Sequence, residues 1–291
     1  MLEEFCERFH VPISNAFRFQ DVFDNHHSLY AGDVGIGINP SLAESIRRSD
    51  LILALGPRLG EMTTGGYSLI SPPMPNQRLI HVHADPEELN RVYRANLTIA
   101  SDMLSLMRAL SKLANIVEIP WKEWTSQLNK DYLQSLVPSV SSDPVNIADI
   151  VDVVNRHCPM DAVFTNGAGN FSGWLQRFHR YSGLKHGHKT QLAPTSGAMG
   201  YGVPAGIAAS LIGRKTVITF AGDGDFLMTG QELATASQHG AKSIVILLNN
   251  GMYGTIRMHQ EREFPGRMSG SNLFGTDFCQ LAQAYGYQSV K

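Results

Sequence analysis

Two apolar runs rich in β-branched residues, TVITFA at 216–221 and SIVILL at 243–248, each stop at a polar cluster. The first meets Gly-Asp-Gly at 222–224 and the second Asn-Asn at 249–250. Runs of this length closed by turn residues predict short buried strands. Residues 225–239 predict one connecting helix: Phe226, Leu227, Leu233 and Ala236 form its apolar side and Gly240 its stop signal. The same alternation recurs on both sides. SLAESIRRSD and DMLSLMRALSKLA predict helices, and LILALG and RLIHVHAD predict strands. WKEWTSQLNKDYLQSL predicts a surface helix, and VPSVSSDP after it has the Pro/Ser character of a linker. Alternation then resumes with a helix in NIADIVDVVNRH, a strand in AVFTNG, a helix from about Phe171 and another in GYGVPAGIAASLIG. The pattern implies two α/β domains with parallel sheets. Their expected extents are 1–120 and 145–291, with 121–144 as a helix and linker.

Composition narrows the class without identifying it. A chain of 291 residues, 43% hydrophobic and 17% charged, reads as an ordinary globular protein. A net charge of -2 gives no footprint for nucleic acid or an acidic membrane surface. No apolar run reaches the length of a membrane span, and MLEEFCERFH is not a secretory signal. Cys6, Cys158 and Cys279 are widely spaced, which fits free thiols in a reducing, cytoplasmic setting.

Candidate chemistry sits where the two strands end. In parallel sheets, ligands bind beyond the carboxyl ends of strands, beside helix N-termini. Asp223 and Asn250 both fall there, on strands expected to be neighbours about 4.8 Å apart. A carboxylate and an amide oxygen so placed can share a small cation, and a sparse all-oxygen set suits Mg²⁺. Gly222 and Gly224 let the backbone approach an anion, and the helix that follows offers N–H donors to a diphosphate. Each cluster alone reads as a turn or cap. The pair, on a strand-helix-strand unit, reads as a site for a metal-diphosphate.

Gly-Asp-Gly followed two dozen residues later by Asn-Asn resembles the motif of thiamin diphosphate-dependent enzymes. QLAPTSGAMGYGVPAGIAA, DLILALGPRL, LIHVHADPEELN and NNGMYGTIRMHQEREFPGR extend the resemblance to the acetolactate synthase-like branch over nearly the whole chain. The resemblance implies two Rossmann-like domains, the second with the thiamin diphosphate-binding fold. It implies that Asp223, Asn250 and the Met252 carbonyl hold Mg²⁺. Gly169, Asn170, Phe171, Gly222, Gly224, Asp225, Gly254 and Thr255 would surround the diphosphate. Gly197, through its carbonyl, and Met199, as an apolar wedge, would take the catalytic roles at the bent cofactor. The implied reaction is decarboxylation of a 2-oxoacid, with the acyl carbanion passed to an acceptor or a proton.

Other features carry less. His186 and His188 suggest a flexible loop rather than a metal site, and His81 and His83 a satisfied pair on one strand face. His26, His27 and the G-x-G at 35–37 form a Gly-rich loop. Relatives bind FAD or another nucleotide in the middle domain in some cases and nothing in others; here nothing is expected. Arg257, His259 and Glu261 fit a substrate contact and a solvated face equally. The family's pyrimidine-binding domain, with its glutamate, has no counterpart in these residues. The chain is therefore expected to be a fragment or one part of a split enzyme, inactive alone and completed in a homodimer or homotetramer. Two alternatives stand beside this: a catalytically idle nucleotide-binding or interaction module, and a lyase acting on an oxalyl or sulfonated donor.

Overall fold

The computed structural model describes residues 1–139, 145–213 and 215–291. The chain divides into two compact units, Met1–Ser139 and Val140–Lys291. Residues 140–144 of the expected linker lie outside the described residues.

The first unit runs α1 (Leu2–Phe9), β1 (Ile13–Asn15), β2 (Tyr30–Asp33), α2 (Pro40–Arg48), β3 (Leu51–Leu55), β4 (Arg78–His83), β5 (Leu97–Ala100), α3 (Met103–Leu110) and α4 (Lys122–Ser135). β3, β4 and β5 form a parallel sheet in that order, and β1 pairs with β2, also parallel. Helix α4, expected on the surface as part of the 121–144 connection, is integral to this unit. It buries Thr125, Leu128 and Tyr132. Tyr132 meets Tyr30 edge to face with ring centroids 4.8 Å apart, and Asn129 Nδ2 donates to the Tyr30 carbonyl.

The second unit runs α5 (Ile147–His157), β6 (Val163–Asn166), α6 (Asn170–Phe178), β7 (Gln191–Leu192), α7 (Gly202–Gly213), β8 (Val217–Gly222), α8 (Asp223–Thr229), α9 (Leu233–His239), β9 (Ile244–Leu248), α10 (Gly254–Glu263) and α11 (Phe278–Ala284). Its four strands are parallel in the order β7-β6-β8-β9. All six residues of β8 are buried, as expected of a central strand covered on both faces. One apolar cluster gathers Val151, Phe164, Leu175, Ile218 and Phe220; another gathers Val203, Ile207, Phe226 and Leu233.

The connecting helix departs from the sequence expectation at both its start and its middle. It begins at Asp223, so the Gly-Asp-Gly triplet enters the first turn. It is also broken by a 3-10 turn at Gly230–Glu232. A β-carbon at Gly230 would stand 2.4 Å from Phe226 Cε1, so the chain crosses that ring only because the position is glycine.

Candidate functional site

Parallel topology brings four loops to one edge of the second sheet: those after β7, β6, β8 and β9. Gly222 pairs with Leu248 across β8 and β9. Asp223 therefore lies one residue, and Asn250 two residues, beyond the paired ends.

Asp223 is 4% exposed, and its carboxylate ties its own turn to the next strand's loop. Oδ1 accepts the Gly224 N–H at 2.9 Å and Oδ2 accepts the Gly251 N–H at 2.8 Å. The Asn250 Oδ1 accepts the Met252 N–H at 3.2 Å, and the Met252 carbonyl accepts the Gly254 N–H at 2.9 Å. Each of these oxygens keeps further lone-pair capacity, so the set fits a hard cation.

Three helix N-termini meet beside the turn that carries Asp223. The Asn170 N–H, opening α6, donates to Thr255 Oγ1 at 3.0 Å. Thr255, opening α10, donates back to Asn170 Oδ1 at 3.0 Å. α8 begins at Asp223 itself. First-turn N–H groups lack intrahelical acceptors and carry the positive end of the helix dipole. The close packing depends on glycine. A β-carbon at Gly222 would lie 2.9 Å from Phe171 Cδ1, at Gly224 2.6 Å from Tyr253 Cε1 and at Gly254 2.9 Å from Asn250 Nδ2. Gly169 has φ 155 and caps α6.

Asp225 is 3% exposed, and its carboxylate faces the loops after β6 and β7. Oδ1 accepts the N–H groups of Gly200 at 2.7 Å and Ala168 at 3.2 Å. Burial pushes its carboxyl up to about 6 against these donors. Gly197, with φ 72, and the half-buried Met199 stand on the same loop as Gly200.

A strap that the sequence reading did not single out fastens the loop after β9. The Tyr253 N–H donates to the Ser271 carbonyl at 2.8 Å and the Leu273 N–H to the Gly251 carbonyl at 2.9 Å. Arg257 donates to Asn272 Oδ1 of the strap, whereas His259 faces Arg262 and Glu261 accepts from Gly266. The only local signal for it is the turn-rich MSGSN.

Five further histidines have structural partners. His186 meets Ser182 Oγ, His188 the Asp161 carbonyl and His81 the Pro57 carbonyl. His26 pairs with Asp24 and His27 with Glu7, while Gly35 packs against Phe17. Among the described residues, no helix is long and apolar enough to cross a membrane.

Comparison with known proteins returns two family descriptions. Residues 1–110 match "Thiamine pyrophosphate enzyme, central domain", and residues 167–291 match "Thiamine pyrophosphate enzyme, C-terminal TPP binding domain". The acetolactate synthase large subunit of Lactococcus lactis subsp. lactis is 26% identical over 291 residues, covering 99% of this chain and 49% of that protein. The acetolactate synthase of Mycobacterium bovis is 29% identical over 302 residues, covering 98% and 47%. The acetolactate synthase isozyme 2 large subunit of Escherichia coli is 26% identical over 289 residues, covering 98% and 50%. The chain spans about half the length of the curated relatives it matches.

Proposed function

This chain belongs to the thiamine pyrophosphate enzymes, and from that premise we propose that its second unit holds Mg²⁺ and the diphosphate of thiamin diphosphate. The parent protein would use them for 2-oxoacid decarboxylation and carboligation of the acetolactate synthase type. The observation that carries the reading is the meeting of the α6, α8 and α10 N-termini beside the turn of the buried Asp223. A buried carboxylate beside positive helix ends suits a divalent cation bridging to an anion better than either alone.

In this reading Asp223 Oδ, Asn250 Oδ1 and the Met252 carbonyl hold the ion. Gly222, Gly224 and Gly254 keep β-carbons out of the cradle, and Gly169, Asn170, Phe171, Thr255 and the backbone of Asp225 line it. The Gly197 carbonyl accepts a hydrogen bond from the pyrimidine end, and Met199 supports the bend beneath it. When bound, the cofactor supplies the electron sink for cleaving the bond beside a 2-oxoacid carbonyl. The chain's own residues bind it, orient it and exclude water. A pyrimidine-binding domain, contributed within a homodimer or homotetramer in the cytoplasm, would complete the site.

Calorimetry tests the assignment. The chain should bind thiamin diphosphate in a Mg²⁺-dependent way. Asp223→Ala should weaken that binding by a few kcal/mol, about the cost of removing one partner of a buried charged contact. Unchanged affinity in Asp223→Ala would overturn it.

A further inference from the structure

Helix α8 grips the neighbouring loop with two side chains four residues apart. Asp225 Oδ1 accepts the Gly200 N–H at 2.7 Å, and Thr229 Oγ1 donates to the Gly200 carbonyl at 2.7 Å. Both polar groups of one residue are thus held by one helix face. The same Asp225 oxygen also accepts the Ala168 N–H, so two loops meet on this one helix side chain. Three glycines make the junction possible. A β-carbon at Gly167 would stand 1.9 Å from Asp225 Oδ1, at Gly200 2.8 Å from Met228 Cβ and at Gly202 2.7 Å from the Gly167 nitrogen. Gly200 also has φ 79, which disfavours any other residue. Asp225 Oδ2 is buried with no hydrogen-bond partner among the described residues, so the loop contacts account for the bonds this carboxylate makes.

We propose that Asp225 and Thr229 are positioning residues. They fix the loop carrying Gly197 and Met199 at a set distance from Asp223. The inference rests on the cofactor assignment above and goes beyond it: the pyrimidine side of the ligand is held separately from its diphosphate. The six-residue step from Asp223 to Thr229 spans about 9 Å of helix. One rigid element therefore spaces the ion end from the loop. A carboxylate set free beside a diphosphate would repel it; turned onto two backbone N–H groups, it organises the loop instead.

The test uses the whole 291-residue chain and two probes: Mg²⁺ with inorganic pyrophosphate, and Mg²⁺ with thiamin diphosphate. Thr229→Val should weaken thiamin diphosphate about tenfold or more while leaving pyrophosphate within about twofold, and Asp225→Ala should weaken thiamin diphosphate at least as much. Asp225→Asn keeps the accepting oxygen and should restore thiamin diphosphate affinity. In the ligand-free chain, amide exchange at 197–202 should quicken in Thr229→Val and Asp225→Ala but not in Asp225→Asn. Wild-type thiamin diphosphate affinity in Thr229→Val, or equal loss of both probes in that variant, overturns the proposal. A wild-type chain that binds neither probe overturns the cofactor assignment instead. The loop's exchange rates, which need no ligand, then decide whether the clamp exists, and unchanged rates in Thr229→Val refute it.

Discussion

At the end of β2, burial pushes the Asp33 carboxyl up to about 6, offset only in part by Arg18 and by Gln20, whose Nε2 donates to Oδ1 at 3.3 Å. A value raised above the ordinary 3.8 means that the fold holds a proton which the unfolded chain has released between those pH values. The stability that Asp33 contributes is therefore full below pH 3.8 and is lost as pH rises through about 6. Asp33→Asn keeps an acceptor for Gln20 and cannot ionise. It should stabilise the first unit at neutral pH and above by about 1–2 kcal/mol, with the gain fading toward the unfolded value. Urea titrations at both extremes check this; a gain independent of pH would refute burial as the cause. The site residues differ in how visible they were. Asp223 and Asn250 each follow an apolar run, and their spacing is set by one return helix. Asp225 finds its partners 25 and 57 residues away, by the direction of a side chain that no local pattern specifies. Asn170 and Thr255, 85 residues apart, were grouped through the resemblance alone.

Between elements, α7 packs closely on the central strands. A β-carbon at Gly206 would stand 2.2 Å from Thr219 Oγ1, where the Thr165 and Thr219 hydroxyls bond each other at 2.8 Å. Gly206→Ala gains about 1 kcal/mol of helix propensity. It loses about 1–3 kcal/mol to overpacking and strains a buried hydroxyl pair. The loss should win, lowering the urea midpoint of the second unit. Gly213→Ala, with only an ordinary 3.6 Å contact to Lys215 Cγ, should not lower it. Equal midpoints for the two variants would show that α7 can move away from the sheet. Elements that were legible carry long apolar runs or a helical stripe, such as β8, β9, α2 and α5. Two of the unread ones lack that signal. β7 has two residues, and α10 buries none of its side chains, so it shows no apolar face. α1 did carry a pattern: Leu2, Phe5, Cys6 and Phe9 recur at helical spacing, and Cys6 and Phe9 are buried. The break at Gly230 stands one turn after Phe226, whose ring lies where a β-carbon at 230 would be, a local contact that the apolar pattern of 225–239 does not register.

At the scale of the molecule, the described apolar clusters each lie within a single unit. A ligand that binds one unit adds RT ln(1 + [L]/Kd) to that unit's stability, about 2.7 kcal/mol at a hundred times Kd. The tryptophans make this separable. Trp121 and Trp124 lie at and just inside the start of α4, whereas Trp174 lies on α6, beside the cradle, with its ring 5.8 Å from that of Phe178. Mg²⁺ with thiamin diphosphate should raise the thermal midpoint reported by Trp174 and leave that of the α4 pair in place. In Trp174→Phe the fluorescence transition should then show no ligand shift, while calorimetry on the same variant still shows the second unit stabilised. A ligand shift that survives in the Trp174→Phe fluorescence would mean that stabilisation reaches the first unit. The two units would then unfold together, and the cofactor's binding energy would be shared across both.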